Sequence, residues 1–334
     1  MVRHLIVLDD GTNLFSGIQG ENAIARVTLT QKVNDGQELK PGAVCADVLE
    51  VELLTPAGGL HIPIGSELAL CEGNSAGAWE QVGLFTVGDV IRPSTNRYLV
   101  TAYDRLSWLD KDLTEWVDNL DGWPYRLQTF AQMVCEACGL YLQPGYFTNG
   151  EWPVHRFSVV NVTGRKLMQW VGELSCRFCR ATPDGEIVLD WYAEAEDVVL
   201  EGEDGFVFLE PFSSADYLTD VIDKVIIRAD NKERGFTYGT GSNAYVITGN
   251  LLMAVVPNES FEGLARVIYE HLRQIQYTPC TIAVPLDVRI KCGDTLWIMD
   301  RNGVEILMYV MKKTQCGQKN ILECTGSPRR RNRL

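Results

Sequence analysis

The first third of the chain alternates apolar and polar residues in short runs separated by turn residues. Such runs occupy 25–30, 46–53, 67–70, 83–87 and 97–103. Alternation over four to eight residues is typical of a strand with one buried face. The breaks between the runs contain Asn-Asp-Gly and Gly-Asn, which favour turns. This spacing predicts a small β-barrel or sandwich.

After residue 106 the apolar residues recur every three or four positions. Two segments, 127–138 and 163–176, have this period, and Gly139 provides a stop after the first. They predict two amphipathic helices, and Asp184-Gly185 between two apolar runs predicts a hairpin after the second helix. A third helix is predicted over 260–276. Further strands are predicted at 221–229, 244–248, 281–286, 294–299, 304–312 and 320–325.

The segment 64–70 resembles the segment 292–298. Each is a glycine turn, a polar residue and an alternating strand, and each is followed by two more predicted strands. Two copies of one small barrel would explain the match, and chance similarity over so short a segment is the alternative.

We therefore expect a mainly β chain with two small antiparallel β-barrels and a helix-containing α+β insert. The expected division is a first barrel at 1–113, an insert at 114–205, a second barrel at 206–326 that carries the helix 260–276, and a basic C-terminal tail at 327–334.

Composition excludes several classes of protein. The chain has 334 residues, of which 46% are hydrophobic, and a net charge of −14. Its apolar runs are much shorter than the roughly 20 residues of a membrane-spanning helix, and its N-terminus does not match a secretory signal. We expect assembly in a cytoplasm and reduced cysteines. The acidic balance argues against tight binding of nucleic acid.

The sharpest candidate for a chemical site is a pair of CxxC motifs, Cys135 with Cys138 and Cys176 with Cys179. Four thiolates in two such pairs could bind zinc. The alternative, which we favour, is that these cysteines face the core at the ends of the two predicted helices. The four histidines fall in no nucleophile or metal motif. We therefore assign no catalytic residue and no cofactor.

The order of several local motifs resembles the tail hub proteins of tailed phages and tailocins, including the N-terminal part of tail-associated lysins. The motifs are LTQKVND at 29–35, GLFTV at 83–87, TAYD at 101–104, TGR at 163–165, ITGNLL at 247–252, YTP at 277–279 and IKCGD at 290–294. None of them is specific alone, and the resemblance covers nearly the whole chain.

The resemblance implies a structural protein without enzymatic activity. It implies a homotrimer whose two barrels per chain form a pseudo-sixfold ring. This ring would be a symmetry adaptor: one side would bind the sixfold tail tube or a distal tail protein, and the other side would bind a threefold central spike or fibre. Such a ring would sit at the tail tip or baseplate of a virion assembled in the bacterial cytoplasm, with nucleic acid only passing through its lumen and no contact with a membrane.

Two other functions stay open. One is a tail enzyme that degrades peptidoglycan, which the absence of a domain after the second barrel argues against. The other is a module that binds cell-surface carbohydrate, for which the aromatic residues of the insert would form the surface unless they pack inside it. These residues are Trp116, Trp123, Tyr146, Phe147 and Trp152.

Overall fold

The structure is a computed structural model. It describes residues 3–16, 23–34, 39–55, 60–73, 78–145, 147–192, 213–214, 219–229, 234–254, 259–273, 277–285, 290–299, 305–316 and 319–331. The first seven strands are β1 (Arg3–Leu8), β2 (Asn13–Ser16), β3 (Ala23–Lys32), β4 (Val48–Leu54), β5 (Glu67–Gly73), β6 (Trp79–Ser94) and β7 (Arg97–Asp104).

These seven strands close into a barrel. The pairing runs β3-β2-β1-β5-β6-β7-β4, and β4 pairs with β3 to complete the ring. All of these pairs are antiparallel except the short pairing of β2 with β3, which is parallel. The inward-facing residues form one apolar core in which Leu29, Leu49 and Leu70 are fully buried. The predicted barrel is thus confirmed.

Two barrel strands, β1 and β2, were not predicted from the hydrophobic pattern. In β1 every second residue is buried, namely His4, Ile6 and Leu8. Because one of these is a histidine, the sequence of β1 does not alternate between apolar and polar residues. Strand β2 has only four residues, which is at the lower limit of length for a strand.

A 3-10 helix, η1 (Arg105–Asp110), follows β7 within the range predicted for the first barrel. The elements of the predicted insert are α1 (Thr114–Asp118), β8 (Tyr125–Arg126), α2 (Leu127–Ala137), β9 (Pro153–Val154), α3 (Gly164–Ser175), β10 (Phe178–Ala181) and β11 (Ile187–Asp190). Both long helices lie where their apolar period predicts them. Gly139, with a φ of +76°, follows the end of α2, and the Thr163 side chain caps α3 by accepting from the Lys166 amide at 3.3 Å.

The remaining elements are β12 (Ser213–Ser214), β13 (Lys224–Arg228), β14 (Gly235–Gly239), β15 (Ala244–Thr248), a 3-10 helix η2 (Leu251–Met253), α4 (Glu259–Leu272), β16 (Thr278–Pro285), β17 (Thr295–Met299), β18 (Glu305–Cys316) and β19 (Lys319–Arg331). Strands β14, β13 and β15 form a separate three-stranded sheet, and α4 packs on it. The third helix, predicted over 260–276, is present as α4 and begins at Glu259. Residues 274–276 of the predicted range lie outside the described ones.

The core of this small sheet is continuous with the core of the insert. Phe261 and Leu264 of α4 belong to the same apolar cluster as Phe130 of α2 and Leu174 of α3. Segments that are far apart in the sequence thus share one interior, beside the barrel. The boundaries at 113/114 and 205/206 stay predictions.

The other strands of the second half pair in the order β12-β16-β19-β18-β17. Strand β18 joins this second sheet to the barrel. On one edge it pairs with β19 along its length, and on the other edge residues 305–309 pair with β17 while residues 312–316 pair with β3. We call the pairing of β18 with β3 the seam, because it makes the barrel and the second sheet one continuous hydrogen-bonded structure.

The suspected internal repeat is present in the strand order. The barrel contains the path β4-β7-β6-β5, and the second sheet contains β16-β19-β18-β17, with every pair antiparallel. Both copies have a register shift at the same place, between Val87 and Asp89 of β6 and between Val310 and Lys312 of β18. Shared order and a shared β-bulge argue against chance.

The two glycine turns of the repeat also make equivalent hydrogen bonds. The Gly65 amide donates to the Val87 carbonyl at 2.7 Å, and the Gly293 amide donates to the Val310 carbonyl at 2.9 Å. In return, Val87 donates to Ser66 and Val310 donates to Asp294, both at 2.9 Å. Both glycines have positive φ, +86° and +92°.

The basic C-terminal run differs from the expected free tail. Strand β19 extends to Arg331, whose backbone is paired with Glu305 of β18, so the residues from 327 to 331 are part of the sheet. Residues 332–334 lie outside the described ones. No helix in the described part of the chain has the length and apolar character to cross a membrane.

The repeated turns allow a matched prediction. We expect Gly65→Ala to lower the free energy of unfolding by about 1 kcal/mol, because its positive φ disfavours a side chain. The loss should be no larger, since a Cβ would meet nothing within 4 Å. Gly293→Ala should cost about 1 kcal/mol more, since its Cβ would lie 3.1 Å from the buried Phe178 ring. Urea unfolding measures both; equal losses would contradict the packing of the second turn against Phe178.

Candidate functional site

The barrel, the insert and the second sheet meet in one region, which we call the joint. Contacts in this region position the three parts relative to one another. The apolar side of the joint is a cluster of six buried residues, two from each of the three parts. They are Val33, Leu39, Phe178, Tyr192, Tyr277 and Met311. Two hydrogen bonds fasten the cluster: the Val33 amide donates to the Met311 carbonyl at 2.9 Å, and the Leu39 amide donates to the Tyr277 hydroxyl at 2.8 Å.

The polar side of the joint includes Asp47, which connects to the end of β3. Its carboxylate accepts from the Gln31 side chain at 2.9 Å and from the Lys32 amide at 3.1 Å. Burial raises the pKa of Asp47 to about 6. The two hydrogen bonds and the charges of Lys313 and Arg180 act in the opposite direction but do not outweigh burial. Burial also raises the pKa of Asp104 well above its usual value, and the charge of Asp47 adds to this. The joint therefore holds two desolvated carboxyl groups whose charges repel each other.

Lys313 is the buried cation of the joint, and its side chain is supplied by the seam strand β18. Its ammonium donates to the Ile290 carbonyl at 2.9 Å, which ties β18 to the turn before β17. Burial lowers the pKa of Lys313, while the charges of Glu72, Asp47 and Asp294 raise it. The charge of this cation is favoured by carboxylates from the barrel and from the second sheet.

A second polar group lies where β18 crosses the barrel. The Gln315 side chain contacts His4 at 3.0 Å and donates to the Glu72 carboxylate, and all three residues are buried. Burial would raise the pKa of Glu72, but hydrogen bonds from His4 and Gln315 outweigh it and the pKa is lowered. The buried histidine of β1, which interrupts the hydrophobic pattern, thus contacts the strand that forms the seam.

Charged and polar contacts at half-buried positions fasten η1 and the insert to the barrel. Arg105 makes a bidentate pair with Glu67 at 2.7 and 2.9 Å, and the Trp108 indole donates to Thr86 at 2.9 Å. Gln81 of β6 donates to the Pro183 carbonyl in the predicted hairpin turn at 2.7 Å. Planar, bidentate contacts restrict orientation as well as distance, so the insert has a defined position on the barrel.

Arg165 at the start of α3 joins the insert to the segment before β4. Its guanidinium pairs with Asp110 at 2.6 and 3.0 Å, donates to the Leu106 carbonyl at 3.1 Å and also donates to the Val44 carbonyl. In the sequence this arginine stands out only as the last residue of the TGR motif, within the predicted helix 163–176. The signal that could have identified the arginine is its place in the first helical turn, where a cation is disfavoured by the helix dipole unless it has another partner.

A cavity of about 70 Å³ lies against the polar side of the joint, with room for a few water molecules. Its lining combines residues of the barrel, the insert and the second sheet: Gln31, Asp47, Gln81, Arg180, Lys291 and Lys313. Both signs of charge line it, and its size suits hydration of the joint better than binding of a substrate.

The four zinc candidates do not form a metal site among the described residues. No group of three or more His, Cys, Asp and Glu in that part of the chain is arranged to hold a metal ion. Cys135, Cys138, Cys176 and Cys179 are buried in the insert core as free thiols. Burial raises the pKa of Cys135 and of Cys176 to about 12, so in the metal-free chain these thiols are protonated at neutral pH.

The aromatic residues considered for carbohydrate binding pack inside the insert. Phe147 and Trp152 are buried, and the Trp152 indole donates to the Leu252 carbonyl at 3.3 Å. Trp116 and Trp123 are half-buried against the same core and stack near Phe130. Tyr146 lies outside the described residues. The described four therefore pack against the core of the insert.

Comparison with known proteins gives no match to a family model and none to a curated protein. Solved structures do match. The 43 kDa tail protein of prophage MuSo2 from Shewanella oneidensis superimposes with a TM-score of 0.60 at 11% identity, over 96% of this chain and 97% of that one. The chain has a phage tail-protein fold.

Two further structures of this fold cover equally much of the chain. A tail protein from Neisseria meningitidis MC58 has a TM-score of 0.58 at 12% identity over 97% of this chain and 96% of its own. Prophage tail protein gp18 from Listeria monocytogenes EGD-e has a TM-score of 0.56 at 9% identity over 98% and 95%. The tail-protein fold therefore spans barrel, insert and second sheet together, and the resemblance inferred from motif order is confirmed at the level of the fold.

The half-buried, desolvated carboxyl group of Asp47 predicts a pH dependence. Its pKa is about 6 in the folded chain against an ordinary 3.8, so the folded state binds the proton more tightly. Stability from this group is fully present below about pH 4 and is lost as the pH rises through about 6, by at most about 3 kcal/mol.

We expect Asp47→Asn to flatten the fall in the free energy of unfolding between pH 5 and pH 7, measured by urea unfolding. Asp112→Asn is the control, because hydrogen bonds from Thr114 lower the pKa of Asp112 and it titrates below this window. An unchanged slope in Asp47→Asn would show that Asp47 is not the desolvated acid that titrates.

The cysteines give a separate prediction. We expect the native protein to contain no stoichiometric zinc by elemental analysis, and EDTA to leave its melting temperature unchanged. The thiols of Cys135, Cys176 and Cys179 should react with Ellman's reagent only after unfolding, because their side chains are buried. One zinc per chain, lost together with stability on chelation, would contradict the assignment of these residues to the core.

Proposed function

We propose that this chain is a structural hub protein of a phage tail or tailocin and not an enzyme. Three copies would form a pseudo-sixfold ring at the tail tip or baseplate, and the ring would join a sixfold tail tube, or a distal tail protein, to a threefold central spike or fibre. Nucleic acid would only pass through the lumen of the ring.

The observation that carries the proposal is the repeat within a chain of tail-protein fold. Strands β4-β7-β6-β5 and β16-β19-β18-β17 are two copies of one unit, and three chains would supply six copies around one axis. Because the copies carry different insertions, the six positions would alternate between two kinds. A ring of this type can match sixfold neighbours on one side and threefold neighbours on the other.

The hydrogen bonds and packing of the joint support the same role. Barrel and second sheet share backbone hydrogen bonds through the seam, and buried apolar and charged groups of all three parts meet beside it. A symmetry adaptor requires a constant angle between its two ring-forming units, and a hydrogen-bonded sheet that continues from one unit into the other provides it.

The test is the oligomeric state of the full chain. We expect native mass spectrometry to give three chains per particle, and negative-stain microscopy to show rings with six similar lobes around an open centre. Monomers at every concentration, including with tail tube protein present, would overturn the proposal.

A test for wall degradation separates this role from the enzymatic one. We expect the purified chain to release no dye from labelled peptidoglycan under conditions in which lysozyme does. Release that survives further purification would establish the lytic enzyme instead.

A further inference from the structure

Four of the large apolar side chains that the chain exposes lie on only two faces of its sheets. Leu54, Ile91 and Tyr103 lie on three neighbouring barrel strands, and Val246 lies on the three-stranded sheet; each is 39–53% exposed. Exposed apolar residues that stand alone are ordinary, whereas several on one face mark an interaction surface. The two faces differ in charge, and this difference indicates what each would bind.

The first face is the outer side of the barrel where β4, β7 and β6 run side by side. Alternate residues of β4 and β7 fill the barrel core, so the residues between them point outward. Cross-strand pairing arranges the outward residues in two rows, Glu50–Thr101–Asp89 and Glu52–Leu99–Ile91. Tyr103 lies beside the first row and Leu54 beside the second. We call this surface the barrel face.

The barrel face carries negative charge. Glu52 forms an ion pair with Arg97 at 2.8 Å, which balances its charge. Glu50 and Asp89 are exposed, and neither has a cation partner within the described part of the chain. A carboxylate that is covered without a partner costs free energy. A neighbour that covers this face therefore has to bring cations to these two carboxylates and apolar side chains to the residues beside them.

The second face is the outer side of the three-stranded sheet. Every second residue of its central strand β13 is buried in the core shared with α4, so Lys224, Ile226 and Arg228 point to the opposite side. Ile226 lies between its partners Thr237 of β14 and Val246 of β15. The outward positions of the three strands hold two cations and no carboxylate, although the whole chain has 44 acidic and 30 basic residues. We call this surface the basic face.

The two faces complement each other. Both have exposed apolar side chains, and the cations of the basic face match Glu50 and Asp89 of the barrel face. Complementary charge steers two surfaces together and disfavours wrong partners. Both faces are exposed in the single chain, so they do not cover each other. A second copy of the chain is the partner that supplies each face with its complement.

A contact between two different faces also suits a ring. Each copy would offer its basic face to one neighbour and its barrel face to the other, which is a heterologous contact. Contacts of this kind form a closed ring when the rotation between neighbouring copies closes. An isologous contact, in which one face meets the same face of another copy, would instead bring like charges together.

We propose that the basic face of one copy packs on the barrel face of the next copy, as two sheets pack face to face. Lys224 and Arg228 would lie beside Glu50 and Asp89, and the apolar side chains of both faces would be buried between the sheets. This surface deepens the proposed hub function and rests on it.

The first test is charge reversal with rescue. We expect Lys224→Glu/Arg228→Glu to shift the species seen in sedimentation velocity from trimer to monomer, because carboxylates then face carboxylates at each contact. Adding Glu50→Lys/Asp89→Lys to the same chain should restore the trimer, since each contact again joins opposite charges. All four side chains are at least partly exposed, so the thermal melts should stay those of the parent chain.

The control for charge reverses two cations elsewhere on the surface. Arg126 and Arg156 are exposed on the insert, and Arg126→Glu/Arg156→Glu changes the net charge by the same amount as the reversal on the basic face. This variant should remain a trimer.

The second test removes an apolar contact without changing the charge. Ile91→Gln should raise the dissociation constant of the trimer by on the order of tenfold, because Ile91 is buried only in the assembly. Val160→Gln is its control: Val160 is 85% exposed on the insert and should leave the dissociation constant unchanged. Analytical ultracentrifugation over a series of concentrations measures both.

The outcomes separate the two proposals. A trimer that withstands both Lys224→Glu/Arg228→Glu and Ile91→Gln overturns this surface and leaves the hub function standing. Dissociation by the first charge reversal without rescue by the second overturns the pairing of the two faces. A parent chain that is monomeric throughout overturns both proposals. Dissociation with rescue, and an intact trimer in both controls, establishes the contact.

Discussion

The pairing of β18 with β3 is the interaction on which the rest of the structure depends. Strand β18 is longer than its partner β17, and the residues beyond β17 would leave backbone groups unpaired in the interior if β3 did not receive them. A buried backbone group without a hydrogen bond costs free energy comparable to a lost bond. The barrel and the second sheet are consequently one structure, and the direction of β18 sets the angle between them.

The charged groups at this place are costly to bury. Asp47 and Lys313 both lose water, and the raised pKa of one and the lowered pKa of the other record that loss. An apolar joint of the same volume could be equally stable. Hydrogen bonds and ion pairs, however, depend on the direction in which the groups face, whereas apolar contacts do not. If one partner is displaced, the other is left buried and unpaired, which costs free energy. In this chain these contacts define which residues of β18 lie against which residues of the barrel.

The insertions make the two copies of the repeat unequal. The first copy is followed by the helical insert, and the second is interrupted between β12 and β16 by the three-stranded sheet and α4. These two insertions pack into one core, with Phe261 stacked on Trp152. The insertions therefore share a core of their own, while the two copies are joined by the seam and by the side chains of the joint. Packing of this kind explains why the aromatic residues of the insert are inside it.

Local patterns in the sequence determined the elements. The alternation of the barrel strands, the helical period with Gly139, the Thr163 cap and the Asp184-Gly185 turn each follow from residues close together, and so does the repeat of the glycine turn. Strand β1 was hidden by His4, whose burial depends on Gln315 and Glu72 far away in the sequence. Only the tertiary structure could decide that β18 is shared, that Arg165 and Lys313 are fastening residues, and that the basic run is a strand, because each depends on partners that no local pattern specifies.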